Sequence, residues 1–159
     1  MSHRRAMLIS IDLWAAVIVA GLAFVLLPRW VSLPMAKDLY GLGTSVLSIV
    51  FSVFIAALAV IISATDDAFV KWLEEENQFS DILWMFKATL VILFIALVYS
   101  VIAYAITASQ AAAGNTLQHS ASLVLFTFLF FYSLDATLAA TMAAVGYARR
   151  RTEFVKLTH

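Results

Sequence analysis

The chain has 159 residues, 64% of them hydrophobic and 13% charged. Soluble domains carry about 25% charged and about 45–50% apolar residues, so this composition excludes disorder, a basic nucleic-acid-binding domain and an ordinary cytosolic enzyme. Ten Lys and Arg balance ten Asp and Glu, and the absence of cysteine removes disulfides, thiolate metal sites and cysteine nucleophiles.

A hydrocarbon layer of about 30 Å needs roughly 20 apolar residues in a helix. The first uncharged stretch, Leu13–Leu27, has fifteen residues and reaches that length only by extending back past Asp12 to Met7. It is predicted as a span over about residues 8–27. Arg4 and Arg5 before an apolar run also fit a signal peptide; the expectation here is a retained span. Pro28 and Pro34 flank Arg29-Trp30-Val31-Ser32-Leu33, and proline cannot donate to a continuing helix. This stretch reads as an interfacial connector, with Trp30 and Tyr40 in the outer headgroup belt.

The second span, about residues 40–65, lies in the uncharged run Leu39–Thr65. Gly41, Ser45, Ser48, Ser52, Ala56, Ala59 and Ser63 recur every three or four positions along it. Small residues permit close helix approach in lipid, where dispersion contacts drive association. If the protein is a pore, Ser45, Ser48 and Ser52 are its candidate lining.

Residues 66–86 carry six acids, Asp66, Asp67, Glu74, Glu75, Glu76 and Asp81, against Lys71 just before Lys87. Phe69, Trp72 and Leu73 fall at helical spacing, as do Ile82, Leu83 and Phe86. Helices 2 and 3 are predicted to project as a short cytoplasmic hairpin, or to hinge near Thr65-Asp66 into a helix lying in the interface. The third span is predicted at about 86–109, followed by an uncharged loop with Gly114-Asn115 and a surface His119.

The fourth span, about 118–147, contains Asp135. Arg149 lies fourteen residues on, about 21 Å along a helix, so Asp135 is near mid-membrane. A carboxylate there costs at least about 2.5–3.5 kcal/mol and should face protein or water, protonated or bonded to a hydroxyl. Ser133, Thr137, Tyr99, Ser100 and Tyr104 are candidate partners by depth. The functional reading is an ion or proton path with Asp135, Ser133 and Thr137 as gate residues; the plain one is a hydrogen bond between helices. Phe126, Phe128, Phe130 and Phe131 suggest a lipid-facing surface or an apolar plug. Ala136, Ala139, Ala140, Ala143, Ala144 and Gly146 form a second small-residue pattern.

With four spans, eight Lys and Arg fall on the side of the termini and middle loop, against Arg29 and Lys37 opposite. This bias puts both termini in the cytoplasm of a bacterial inner membrane. The basic tail Arg149-Arg150-Arg151, with Lys156, then shares a face with the acidic segment. Asp66, Asp67, Lys71, Glu74, Glu75, Glu76 and the three arginines are candidate contacts between subunits or with a cytosolic protein. Topology alone also explains the arginine run, and a solvated helix end explains the glutamates. No zinc-protease, nucleophile-elbow, phosphate-loop or dinucleotide motif occurs, so neither an enzyme nor a cofactor is expected.

The predicted fold is an all-α four-transmembrane-helix bundle in one membrane domain. In architecture it resembles the small membrane subunits of bacterial anti-phage systems, including the Kiwa-type membrane subunit; its most distinctive string is Ser63-Ala64-Thr65-Asp66-Asp67-Ala68-Phe69-Val70-Lys71-Trp72-Leu73-Glu74. The resemblance implies a homo-oligomer that senses or disturbs the inner membrane and recruits a soluble partner; it carries over no functional residue. The leading expectation is thus a homo-oligomeric scaffold, sensor or effector in the lipid bilayer, with no nucleic-acid partner. A channel or pore is the second, and a proton-coupled transporter the third.

Overall fold

The computed structural model describes residues 11–63 and 78–158. Its elements are α1 (Ile11–Leu26), β1 (Trp30–Ser32), α2 (Leu33–Ser63), α3 (Gln78–Ala112), β2 (Leu117–His119) and α4 (Ala121–Thr158). Among the described residues the regular structure is thus all-helical apart from two three-residue strands. Three helices hold stretches long and apolar enough to cross a membrane: Leu33–Ala59, Leu83–Ala112 and Ala121–Arg149. The apolar part of α1, Leu13–Leu26, is shorter, about 21 Å at 1.5 Å per residue. Residues 8–10, which the sequence reading adds to that span, lie outside the described residues, as does most of the acidic segment.

The helices pack in the order α2, α3, α4, α1, with α2 touching α4 only lightly. The C-terminal ends of α1 and α3 and the N-terminal ends of α2 and α4 meet at one end of the bundle, where β1 and β2 pair. The connector around Trp30 is therefore part of a two-stranded antiparallel ladder, with Trp30 opposite His119, Val31 opposite Gln118 and Ser32 opposite Leu117. Two further main-chain bonds close it, Leu33 N–H to Thr116 O at 2.9 Å and Ser120 N–H to Arg29 O at 3.2 Å. Pro34 starts α2 instead of interrupting the chain: in the first turn its missing N–H has no helical partner to lose. Lys37 and Asp38 consequently sit on the opening turns of α2. At the other corner, Gly114 adopts φ +86°, and the Asn115 N–H donates back to Gln110 O at 3.1 Å, which closes the C-terminus of α3.

Two buried clusters hold the helices together. Near the β ladder are Val31, Ala36, Tyr40, Leu123 and Phe126; further along the bundle are Leu47, Phe54, Phe86, Leu93, Ala96 and Ala140. Phe54 stacks on Phe86 with ring centroids 5.1 Å apart. Phe126 meets Tyr40 edge-on at 5.1 Å and contacts Phe130 at 5.7 Å. Here the structure departs from the sequence expectation. Tyr40, expected to face the headgroup belt, is fully buried in protein, and Phe126, one of a run read as lipid-facing or as an apolar plug, is 7% exposed and wedged into the core.

The outward faces are apolar instead. Phe94, Ile95, Ile102, Leu138 and Met142 are each more than half exposed. Water-soluble monomers rarely show contiguous apolar patches beyond a few hundred Å², whereas hydrocarbon solvates such a surface. The small residues divide. Ser45, Ser52, Ala56 and Ala59 of α2 face outward, whereas Ala136 and Ala140 of α4 are buried. The two alanines let α3 come close enough for the Thr89 hydroxyl to donate to Ala136 O at 3.4 Å.

Gly43 is the tightest crossing point. A Cβ built there lies 2.2 Å from Phe126 Cζ and 2.6 Å from its Cε2, in a ring already held by Tyr40 and Phe130. Gly43→Ala is expected to lower stability by about 1–3 kcal/mol through overpacking, and adding Phe126→Leu should recover part of the loss. Gly21→Ala and Gly146→Ala, whose Cβ atoms meet nothing within 4 Å, should be neutral or gain up to about 1 kcal/mol in helix propensity. Thermal unfolding in detergent checks this; equal effects at the three glycines would contradict it.

Candidate functional site

Most of the bonds between side chains of different elements lie at the β end. The Thr107 hydroxyl donates to Gln118 Oε1 at 3.2 Å. Gln118 Nε2 donates to the Tyr40 hydroxyl at 3.3 Å, and that hydroxyl donates to Ser122 Oγ at 2.9 Å. Ser122 Oγ donates in turn to His119 O at 3.3 Å. Every donor in this chain points the same way, from α3 through β2 and α2 into the start of α4. Such directional chains polarise and strengthen one another in a low-dielectric setting.

Two branches add to it. The Tyr99 hydroxyl donates to Ser122 O at 3.0 Å. One turn deeper, the Thr44 and Ser100 hydroxyls both reach Tyr40 O at 2.9 Å and lie 2.9 Å from each other. Two protons thus serve three oxygen–oxygen contacts, two of them across the α2–α3 interface. Tyr40 is the hub: its ring packs on Phe126, its hydroxyl ties α2 to α4 and its carbonyl ties α2 to α3. His119 Nδ1 accepts the Ala121 N–H at 3.1 Å, capping α4, and Trp30 meets the imidazole edge-on at 5.6 Å.

Beside this network opens a cavity of about 400 Å³, lined among others by Tyr99, Ile106, Thr107, Gln110, Gln118 and His119. A second, of about 560 Å³, opens between α2 and α3 around Lys37, Asp38, Gly41 and Tyr104.

The candidates singled out in the sequence lie elsewhere. Asp135 is half-buried on α4, fourteen positions from either end of the apolar stretch Ala121–Arg149, and so at its midpoint. Ser133 donates to Phe130 O at 2.8 Å and Thr137 to Ser133 O at 2.7 Å, so their protons are held by their own helix. Those of Tyr99 and Ser100 belong to the β-end network, and Tyr104 lies under the Lys37 ammonium, 5.9 Å from its ring centre. On α2, Ser45, Ser48 and Ser52 donate to Gly41 O, Thr44 O and Ser48 O at 3.0, 2.7 and 2.9 Å. Ser45 and Ser52 are exposed and Ser48 half-buried. Asp66, Asp67, Lys71, Glu74, Glu75 and Glu76 lie outside the described residues. Arg149 is exposed, and α4 continues as a helix through Arg150 and Arg151 to Thr158.

Sequence reading missed the Tyr40 hub and its ladder. The usable signal was a set of neutral donors and acceptors, Tyr40, Thr44, Tyr99, Ser100, Thr107, Gln118 and Ser122, at one depth on three helices and a strand. No family model, curated protein or solved structure matches the chain, so the site is read from its own chemistry.

Tyr40→Phe keeps the ring and removes the relay hydroxyl, leaving Gln118 Nε2 without its acceptor. It is expected to cost about 1–3 kcal/mol and to speed amide exchange at Leu33 and Ser120, which close the ladder. Tyr104→Phe, at an exposed ring, should stay within about 0.5 kcal/mol. Thermal melts with residue-resolved hydrogen exchange check both; unchanged exchange in Tyr40→Phe would contradict the hub.

Proposed function

We propose that the protein is a homo-oligomeric inner-membrane scaffold or sensor that acts on a soluble partner through a charged cytoplasmic face. The observation that carries this reading is the length of α4. It runs as a helix nine residues past Arg149, about 13 Å, and so carries Arg150, Arg151 and Lys156 beyond its apolar stretch. That end is opposite the β ladder. It is also where α2 ends and α3 begins, and the acidic stretch from Asp66 to Glu76 covalently joins those two ends. The eight-to-two bias of Lys and Arg supports a cytoplasmic position for this face. The closed β end, with its ladder and relay, suits a fixed anchor, and the outward Ser45, Ser52, Ala56 and Ala59 suit close packing between copies.

A pore is the second reading. It is favoured by Asp135 at the midpoint of α4 and by hydroxyls on the outer surface of α2, which assembly would bring together. Current across a reconstituted bilayer that changes in Asp135→Asn would move the assignment there.

The scaffold reading predicts that a soluble protein crosslinks in cells to the tagged full-length chain. Replacing Glu74, Glu75 and Glu76 together with lysine should cut its recovery about tenfold, while expression and oligomer size stay unchanged. Quantitative crosslinking mass spectrometry checks this. Identical recovery from both proteins would count against the proposal.

A further inference from the structure

The larger cavity, of about 560 Å³, meets the Tyr40 network at Thr44 alone and takes no part in the proposed cytoplasmic face. Its mouth is formed by neighbours of opposite charge, Lys37 and Asp38, on the opening turns of α2. Lys37 is half-buried with its ammonium over the Tyr104 ring, and Asp38 is exposed. Its floor exists because residue 41 is glycine: a Cβ there would already meet Tyr104 Cε2 at 3.3 Å. Leu42 and Val101 supply apolar wall.

The charges narrow the ligand. Both side chains line the cavity, so a simple anion on Lys37 would share it with a carboxylate, and a simple cation on Asp38 would share it with an ammonium. A zwitterion satisfies both. A quaternary ammonium has no N–H to give a carboxylate and is held by open aromatic faces; here Lys37 already occupies one face of the Tyr104 ring. A primary ammonium donates to Asp38 directly.

Depth narrows it further. From Lys37 to Ser45 the cavity runs along α2 for about 12 Å, whereas one headgroup layer is about 5–7 Å thick. Its shallow end is therefore at the level of headgroups and its deep end among acyl chains. We infer that this cavity binds a zwitterionic phospholipid with a primary-amine headgroup, its phosphodiester on Lys37, its ammonium on Asp38 and its first acyl carbons between α2 and α3.

The test is native mass spectrometry of the full-length chain titrated with an equimolar mixture of phosphatidylethanolamine, phosphatidylcholine and phosphatidylglycerol of identical acyl chains. The ethanolamine lipid should be retained up to about fivefold over each of the others, the discrimination expected from the one exposed charge pair that distinguishes them, ammonium on Asp38. Asp38→Asn should bring that ratio towards one, whereas Lys37→Gln, which loses the contact with the phosphodiester common to all three, and Gly41→Leu, which fills the floor, should lower retention of all three. Soluble glycerophosphoethanolamine, with the same headgroup and no chains, should fail to displace the lipid. Equal retention of the three lipids by the wild-type chain, a preference for phosphatidylglycerol, a preference that survives Asp38→Asn, or displacement by the soluble headgroup would each overturn the inference. The wild-type comparison decides even if a variant fails to fold.

Discussion

A peptide group in hydrocarbon has no water to bond, and an unmet N–H or C=O there costs several kcal/mol. The described part of this molecule is arranged around that constraint. Its long helices satisfy their main chains internally. The breaks between α1 and α2 and between α3 and α4 lie at the same end, and each supplies the other's hydrogen bonds through the β1–β2 ladder. Side chains follow the same rule. Thr44, Ser45, Ser48, Ser52, Thr127, Thr137 and Thr141 all donate to carbonyls four residues back, and no buried polar side-chain atom among the described residues lacks a partner.

Given that frame, the molecule divides lengthwise. At the β end, neutral hydroxyls and one amide tie α2, α3 and α4 together around Tyr40, with Phe126 inserted beside Gly43. Further along, contact is dry, through Phe54 on Phe86 and through the close approach of α3 to the alanines of α4. Lys37 and Asp38 lie beside the tied end, and the arginines of α4 are at the far end. One end is thus built for fixed geometry, while the other carries most of the charge. The proposed scaffold role uses this asymmetry, because a rigid anchor lets a charged face present itself in one orientation.

The helices were legible in the sequence because lipid demands length, and uncharged runs such as Leu39–Thr65 announce it. Asp135 was equally legible as a lone acid at the middle of a span. Which face of each helix turns inward was not. In lipid the interior and the surroundings are equally greasy, so apolar periodicity carries little directional signal, and Phe126 read like Phe131. Tyr40 was misplaced for a related reason: an amphipathic ring suits a headgroup belt unless its hydroxyl finds protein partners, and Gln118 and Ser122 come from 78 and 82 residues away. The ladder was hidden because three-residue strands carry no pattern of their own. Small and hydroxylated residues do not settle the inward face either: Gly43, Ser100 and Ser133 are buried, whereas Ser45 and Ser52 face outward.

The central claim is that the outward apolar faces are solvated by acyl chains. The chain has no cysteine, so single cysteines at Val91, Phe94, Ile95 and Val98 of α3 can carry nitroxide labels without background. After reconstitution in lipid vesicles, collision rates with dissolved oxygen and with a water-soluble nickel chelate separate hydrocarbon from water. High oxygen and negligible nickel accessibility at all four positions is the expected result, with buried Leu93 and Ala96 shielded from both. Nickel accessibility at the four outward positions, matching that of a label on exposed Gln110, would contradict the account.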